Sequence, residues 1–187
     1  MNDTIETFRD GIFALRTRRF GKVAELMIQK LGNFSNPTDN SYDLYDAQKG
    51  QKIEVKFSTV MRKNAKEITE ENVIDQITQA NLNIRILSSA EAVNNVFNCN
   101  IQQVKPYAFD ILYYGTFFQD TIYIFRIPSS EIKESPIGFS DKQHRGNLGE
   151  GQFHITNENL AYHLNHYFVT KLTYEELYQI LSYTKKD

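Results

Sequence analysis

The chain has 187 residues, a formal net charge of −2, 41% hydrophobic residues and 24% charged residues. This composition is ordinary for a globular domain and excludes a low-complexity chain, while the slight negative charge argues against a protein that grips DNA by bulk charge alone. No apolar run approaches the ~20 residues that a transmembrane helix needs, charged residues stand where a signal peptide has its apolar core, and Cys99 is the single cysteine. We therefore expect a cytoplasmic protein that makes no membrane contact.

The N-terminal third is predicted to form a helical segment followed by a β-hairpin. Apolar residues recur at helical intervals over 6–31, where three arginines and Gly21 leave open one helix or two. Strands are predicted at 41–46 and 52–60, and the turn-forming residues at 47–51 join them into a hairpin.

The middle of the chain is predicted to add a helix and a second hairpin. The apolar pattern over 69–87 indicates a helix, with a strand as the alternative near its end, whereas 90–104 has no clear pattern. The runs 107–118 and 121–127 are rich in aromatic and branched residues. They predict two strands joined by a tight turn.

The C-terminal part is predicted to begin with a polar loop over 139–151 and a brief strand at 153–156. Helices are expected over 157–168 and 173–181, with Asn157 and Thr173 as their N-caps. Glu176 lies three residues after Thr173, which is the spacing of a capping box.

The order of these elements predicts an α/β fold of the mixed α+β kind. Strands and helices do not alternate regularly, and the sequence has no Gly-rich phosphate loop. We expect a central mixed β-sheet flanked by helices. A single domain is predicted over 1–187, with a core at about 6–127 and a C-terminal loop and helices over 128–187.

Charged residues of opposite sign share one face of the second predicted strand. Side chains alternate along a strand, so Glu54 and Lys56 lie together. The opposite face is apolar and is predicted to be buried; its residues are Ile53, Val55 and Phe57. A Glu and a Lys two residues apart are also typical of a solvated sheet face, and this alternative stays open.

An acidic residue on the preceding strand favours a functional interpretation. If the two strands pair antiparallel, Asp43 comes close to Glu54, which brings two carboxylates near the amine of Lys56. Asp46 is the competing acid, but it is an odd number of residues away and close to the turn. Two carboxylates suit Mg²⁺, which takes oxygen ligands, and a lysine can stabilise the charge of a phosphoryl transition state.

The helix carrying Glu25, followed by Asp43 and the triplet Glu54-Val55-Lys56, resembles the PD-(D/E)XK nuclease superfamily. That superfamily includes many type II restriction endonucleases and the archaeal Holliday-junction resolvases. The resemblance implies that Asp43, Glu54 and Val55 contact the metal, that Lys56 is the catalytic lysine, and that Glu25 helps to hold metal or water.

The resemblance covers 21–58 and departs from the superfamily motif at one position. Tyr42 stands where the motif has its proline. The implied fold is restriction-endonuclease-like: a mixed sheet flanked by helices and entered through a helix that often carries an extra acid. The implied cofactor is Mg²⁺, with Mn²⁺ as a substitute.

Two polar segments are candidates for DNA contact. One is the basic cluster on the first helical segment, which includes Arg18 and Arg19. The other is the loop after Phe139, whose candidate residues are Lys142, Gln143, His144, Arg145 and Asn147. Such side chains bind phosphates or read base edges, although a solvated surface is the alternative for both segments.

These features together predict a Mg²⁺-dependent endonuclease that acts on double-stranded DNA. Because the chain has no zinc finger and no clear helix-turn-helix, we expect either a homodimer or a larger recognition and nicking subunit as partner. The second arrangement is that of a heterodimeric type IIS restriction enzyme. The alternatives are a structure-specific repair nuclease or Holliday-junction resolvase, and a non-catalytic interaction subunit.

Overall fold

The computed structural model describes residues 3–62, 67–78, 86–142 and 149–182. Within these ranges the chain forms helices α1 (Asp3–Ala14), α2 (Thr17–Gly32), α3 (Val73–Thr78), α4 (Ser89–Ala92), α5 (Leu160–His166) and α6 (Tyr174–Ser182). The strands are β1 (Leu44–Asp46), β2 (Gln51–Thr59), β3 (Asn98–Val104), β4 (Ile111–Phe117), β5 (Ile122–Pro128), β6 (Gly151–Thr156) and β7 (Phe168–Leu172).

The fold is a mixed α/β architecture, as the sequence predicts. A five-stranded sheet has the order β1-β2-β4-β5-β7, in which β2 and β4 are parallel and the other pairs are antiparallel. A separate two-stranded ribbon joins β3 to β6. The predicted hairpin of β4 and β5 belongs to the main sheet and supplies its centre.

Two hydrophobic clusters cover the opposite faces of the main sheet. Ile111 and Phe117 of β4 pack with α1, α2 and α6, whereas Leu112 and Tyr114 of the same strand pack with the β3–β6 ribbon. This alternation follows from the two-residue period of a strand. The central strands β4 and β5 are therefore buried on both sides, which explains their nearly continuous apolar sequence.

Several element boundaries differ from the predicted ones. The first helical segment is two helices, and it breaks at Leu15 and Arg16 rather than at Gly21, which lies inside α2. β1 is shorter than predicted and begins at Leu44. The prediction of Asn157 as an N-cap is wrong, because α5 starts after Asn159. Asn159 instead uses its side chain to accept a hydrogen bond from the Thr156 N–H at 2.8 Å.

Tertiary pairing overrides the helical prediction at 157–168. α5 ends at His166, and the next residues form β7 against the edge of β5. The Arg126 N–H donates to the Tyr167 carbonyl at 2.8 Å, so hydrogen bonds from β5 draw this segment into the sheet. The capping box of α6 is confirmed: the Thr173 N–H donates to Glu176 at 2.7 Å, and the Glu176 N–H donates to the Thr173 hydroxyl at 3.2 Å.

The helix predicted over 69–87 is much shorter in the described residues. α3 covers only Val73–Thr78, and its Ile74 and Ile77 are exposed. Ile86 pairs with Met61 through an isolated bridge, in agreement with the strand alternative at the end of this segment. Residues 79–85 of this prediction lie outside the described residues.

Gly115 of β4 lies where the main sheet has no space for a side chain. A Cβ there would overlap the carbonyl oxygen of Tyr123 and the ring of Phe57. We expect Gly115→Ala to lower the free energy of unfolding by about 3 kcal/mol, because backbone on one side and a packed ring on the other must shift. Urea denaturation measures the change. Gly11→Ala is the control, since nothing lies within 4 Å of its Cβ, and it should stabilise α1 by about 0.5–1 kcal/mol.

Candidate active site

The β1–β2 hairpin ends where the cluster of charges begins. β1 pairs with β2 at only three positions, from Asp46↔Gln51 to Leu44↔Ile53. The Asp43 N–H continues the ladder by donating to the Ile53 carbonyl at 3.0 Å. Beyond that bond, none of the described strands pairs with this edge of β2.

The carboxylate of Asp43 pairs with β2 beyond the point where β1 ends. Its Oδ2 accepts a hydrogen bond from the Val55 N–H at 2.9 Å and another from Lys56 Nζ at 3.4 Å. The backbone donor fixes the carboxylate independently of the lysine. Asp43 is therefore held beside β2 by the hairpin itself, as the antiparallel pairing predicts.

Lys56 bridges the two acids. Its ammonium forms an ion pair with Glu54 as well as the contact with Asp43. The side chain of Glu54 is only 12% exposed, and those of Lys56 and Asp43 are 22% and 23% exposed. Charges withdrawn from water to this extent require partners, and each of these three finds its partner in the others.

Burial and neighbouring charge shift the protonation of both strand residues. Burial raises the pKa of Glu54 to about 7; Lys56 opposes this shift, and the negative charges of Asp43 and Glu25 add to it. Burial alone would lower the pKa of Lys56, but attraction to Glu54 and Asp43 outweighs it and raises that pKa. Lys56 is consequently cationic at neutral pH, while Glu54 keeps its proton to a higher pH than an exposed glutamate does.

A cavity of about 610 Å³ opens beside this cluster, along the free edge of β2. Glu25 of α2 and Lys56 of β2 both line it, and Arg18 lies at the start of α2 on the same wall. β3 also lines the cavity. Asp43 and Glu54 adjoin the cavity through Lys56, which contacts both of them. Glu25 is paired with Lys22 at 2.7 Å.

A divalent cation such as Mg²⁺ requires oxygen donors that converge on one position. Among the residues that the structure describes, no three His, Cys, Asp or Glu side chains form a metal-binding group. The ammonium of Lys56 occupies the space between the two acids. Within the same residues, Asp43 Oδ1 and Glu54 Oε2 accept no hydrogen bond. Two free carboxylate oxygens are what Mg²⁺ or Mn²⁺ takes from a protein, with substrate and water completing the shell, so the chemistry of the donors fits.

The other predicted site residues fall into three groups. Asp46 does not join the cluster, because its Oδ1 accepts the Gln48 and Lys49 N–H groups of the turn at 3.0 and 3.2 Å. Arg19 and Lys142 are exposed and are not part of the cavity wall described above. Four predicted DNA contacts lie outside the described residues: Gln143, His144, Arg145 and Asn147.

Three amide residues of the cavity were missed by sequence reasoning. Asn100, Gln102 and Gln103 come from β3 and line the cavity. The Asn100 side chain donates to Gln152 at 3.0 Å, and its buried Oδ1 has no partner in the described part of the chain. The signal was present, because polar and apolar residues alternate from Asn98 to Gln102 as in a half-buried strand.

No protein-family model matches this sequence, and a search of curated proteins finds no match. None of the described helices combines the length and apolarity needed to cross a bilayer. The resemblance stated above therefore depends on the residues of the hairpin and the helix that precedes it.

The raised pKa of Glu54 predicts a specific pH dependence of stability in metal-free buffer. The folded protein holds this proton up to about pH 7, whereas an unfolded Glu releases it near 4.5. The contribution is thus complete below the unfolded pKa and is lost as the pH rises through 7. We expect wild type to lose on the order of 2 kcal/mol relative to Glu54→Gln between pH 5 and pH 8.

Thermal unfolding in EDTA across this pH range provides the measurement. The exposed Glu158→Gln variant is the control, and its pH profile should run parallel to that of wild type. Parallel profiles for wild type and Glu54→Gln would contradict the buried, proton-binding state of Glu54.

Proposed function

We propose that this protein is a metal-dependent DNA endonuclease that hydrolyses phosphodiester bonds at the cluster of Asp43, Glu54 and Lys56. The observation that carries the proposal is the joining of two carboxylates to one ammonium, all largely withdrawn from water, where the ammonium of Lys56 lines a cavity of about 610 Å³. On a solvated sheet face, these charged side chains would be exposed to water. They would not be paired with the carboxylate of Asp43 from the neighbouring strand.

The acids are the candidate metal ligands. Asp43 and Glu54 would hold Mg²⁺, and Glu25 and Val55, which line the same cavity, complete the candidate set. When bound, the cation acts as a Lewis acid that offsets charge on the phosphoryl group and lowers the pKa of water. The two carboxylates and Lys56 carry a net charge of −1 when Glu54 is ionised, so the cluster favours an added cation.

Lys56 supplies the fixed positive charge of the reaction. Its raised pKa keeps it protonated at neutral pH, and its position on β2, between two acids, orients the ammonium before substrate arrives. A phosphodiester gains negative charge on its oxygens as it is attacked. A preoriented ammonium in a site with little water stabilises that charge more strongly than it would in bulk solvent.

The proton on Glu54 links activity to pH. Because its pKa is about 7 in the absence of metal, protons and Mg²⁺ compete for this carboxylate below neutrality. The nuclease should therefore require more Mg²⁺ at pH 6 than at pH 8.

The proposed substrate is double-stranded DNA, and the proposed setting is restriction. A single centre hydrolyses one strand, so a double-strand break needs a second centre. That centre is supplied by a second copy of this chain or by a larger recognition and nicking subunit, as in a heterodimeric type IIS enzyme. Cleavage of branched DNA in preference to linear duplex would instead favour a junction resolvase.

The first test is cleavage of supercoiled plasmid with Mg²⁺, at high enzyme concentration, by wild type and single variants. Asp43→Asn and Lys56→Ala should each lower the nicking rate by about 100-fold or more, because each removes a charge that acts on the transition state. Asp46→Asn and Lys52→Ala are matched controls from the same hairpin and should cleave like wild type. Wild-type rates in Lys56→Ala, or undiminished nicking in EDTA, would overturn the proposal.

A second test measures metal binding without any substrate. Mg²⁺ should raise the thermal stability of wild type, by about 2.7 kcal/mol at a concentration ~100 times Kd. The gain should be larger at pH 8 than at pH 6. Asp43→Asn and Glu54→Gln should lose it, whereas Asp46→Asn should keep it. An equal gain in all four proteins would mean that the cation binds elsewhere.

A further inference from the structure

We propose that Gln103 is a specificity-determining residue, which contacts the bases of the DNA strand held in the cavity and is aimed there by a strained bulge in β3. The inference rests on the proposed function and deepens it, because it assigns base recognition to the residues with which β3 lines the cavity. Three independent features of β3 support it: its register, its backbone conformation and its composition.

The register of β3 shifts at this residue. Gln102 pairs with Gln152 and Val104 pairs with Gly151, so Gln103 is an extra residue without a partner in β6. Consecutive side chains of a regular strand point to opposite faces. In this bulge, Gln102 and Gln103 both line the cavity. β-bulges often redirect a side chain next to an active site.

The backbone of Gln103 is held in an unfavourable conformation. Its φ is 58°, in the left-handed region that glycine adopts freely and that Cβ disfavours. Asn33 is the other non-glycine residue with positive φ in the described ranges, and it closes the C-terminus of α2, where Asn is common. Gln103 has no such capping role.

Within the described residues, no side-chain hydrogen bond of Gln103 offsets this strain. The residue is exposed, and its amide makes no hydrogen bond with the residues that the structure describes. Strained residues that persist without a structural benefit cluster at functional sites. A glycine would adopt the backbone conformation of this bulge without strain. The presence of a side chain here therefore points to a contact with a ligand.

The chemistry of this wall matches base edges. The polar side chains of β3 that line the cavity are all uncharged amides, from Asn100, Gln102 and Gln103. An amide presents donors and an acceptor together, and Gln pairs in this way with the edge of adenine. The charged wall, with Lys56 and Arg18, suits the phosphate backbone of the same strand.

The bulge is also close to the proposed reaction centre. Gln103 and Lys56 line the same cavity of about 610 Å³. We therefore expect the nucleotide that Gln103 contacts to lie near the cleaved bond. Base preference at that position is the property that Gln103 should control.

The experiment compares Gln103→Gly with Asn33→Gly, the matched variant at the other strained position. Both should melt at or above the wild-type Tm, since glycine relieves the left-handed strain in each. Binding is measured by fluorescence anisotropy with a labelled random-sequence duplex in Ca²⁺, and base preference by sequencing the ends of cleaved plasmid. Gln103→Gly should bind at least 5-fold more weakly and lose its preference beside the cut, whereas Asn33→Gly should match wild type.

A second variant separates the contact from the bulge. Gln103→Glu keeps the length of the side chain but replaces the amide donors with a carboxylate, so it should change which base is preferred. Wild-type affinity and preference in both Gln103 variants would overturn the inference while leaving the nuclease proposal intact. If wild type neither binds nor nicks DNA, the nuclease proposal and the role of Gln103 fail together.

Discussion

The candidate site depends on the hydrogen bond from the Val55 N–H to the carboxylate of Asp43. β1 is too short to pair with this part of β2, and an N–H left without a partner inside a protein is costly. A side-chain carboxylate fills the position that a strand carbonyl would otherwise occupy. The acid is thereby attached to the backbone of the strand that also carries Glu54 and Lys56. Because the donor is main-chain, the position of Asp43 follows from the hairpin register and not from a flexible ion pair.

Two apolar cores hold that register in place. Ile53 and Val55 pack with α1, α2 and α6 on one face of the sheet, while Leu112 and Tyr114 of the adjacent parallel strand pack with the ribbon on the other. β2 cannot slip by one residue without exchanging its buried face for the charged one. The same packing keeps water from the charged cluster, which raises the pKa of Glu54 and makes the lysine a strong local charge. Stability of the sheet and polarity of the site are thus consequences of one arrangement.

The cavity combines chemistry from elements that are far apart in the chain. α2 and β2 contribute the charged residues, and β3 contributes amides. The separation suits the proposed nuclease, because it places charged side chains for the phosphate and amides for the base edges on different elements. A bulge in the ribbon lets two consecutive glutamines line the cavity.

The sequence by itself determined the features that depend on neighbouring residues. Alternation placed Glu54 and Lys56 on one face, the turn brought Asp43 back beside them, and Thr173 with Glu176 began the last helix. Only the tertiary structure decided the rest. It turned 168–172 into β7 by offering the edge of β5, paired β3 with β6 although β4 and β5 lie between them in the chain, and made the amide residues of 98–104 into a cavity wall. The physical reason is range: side-chain period, turn geometry and capping act over a few residues, whereas sheet edges and cavity walls are made of hydrogen bonds and contacts between distant segments.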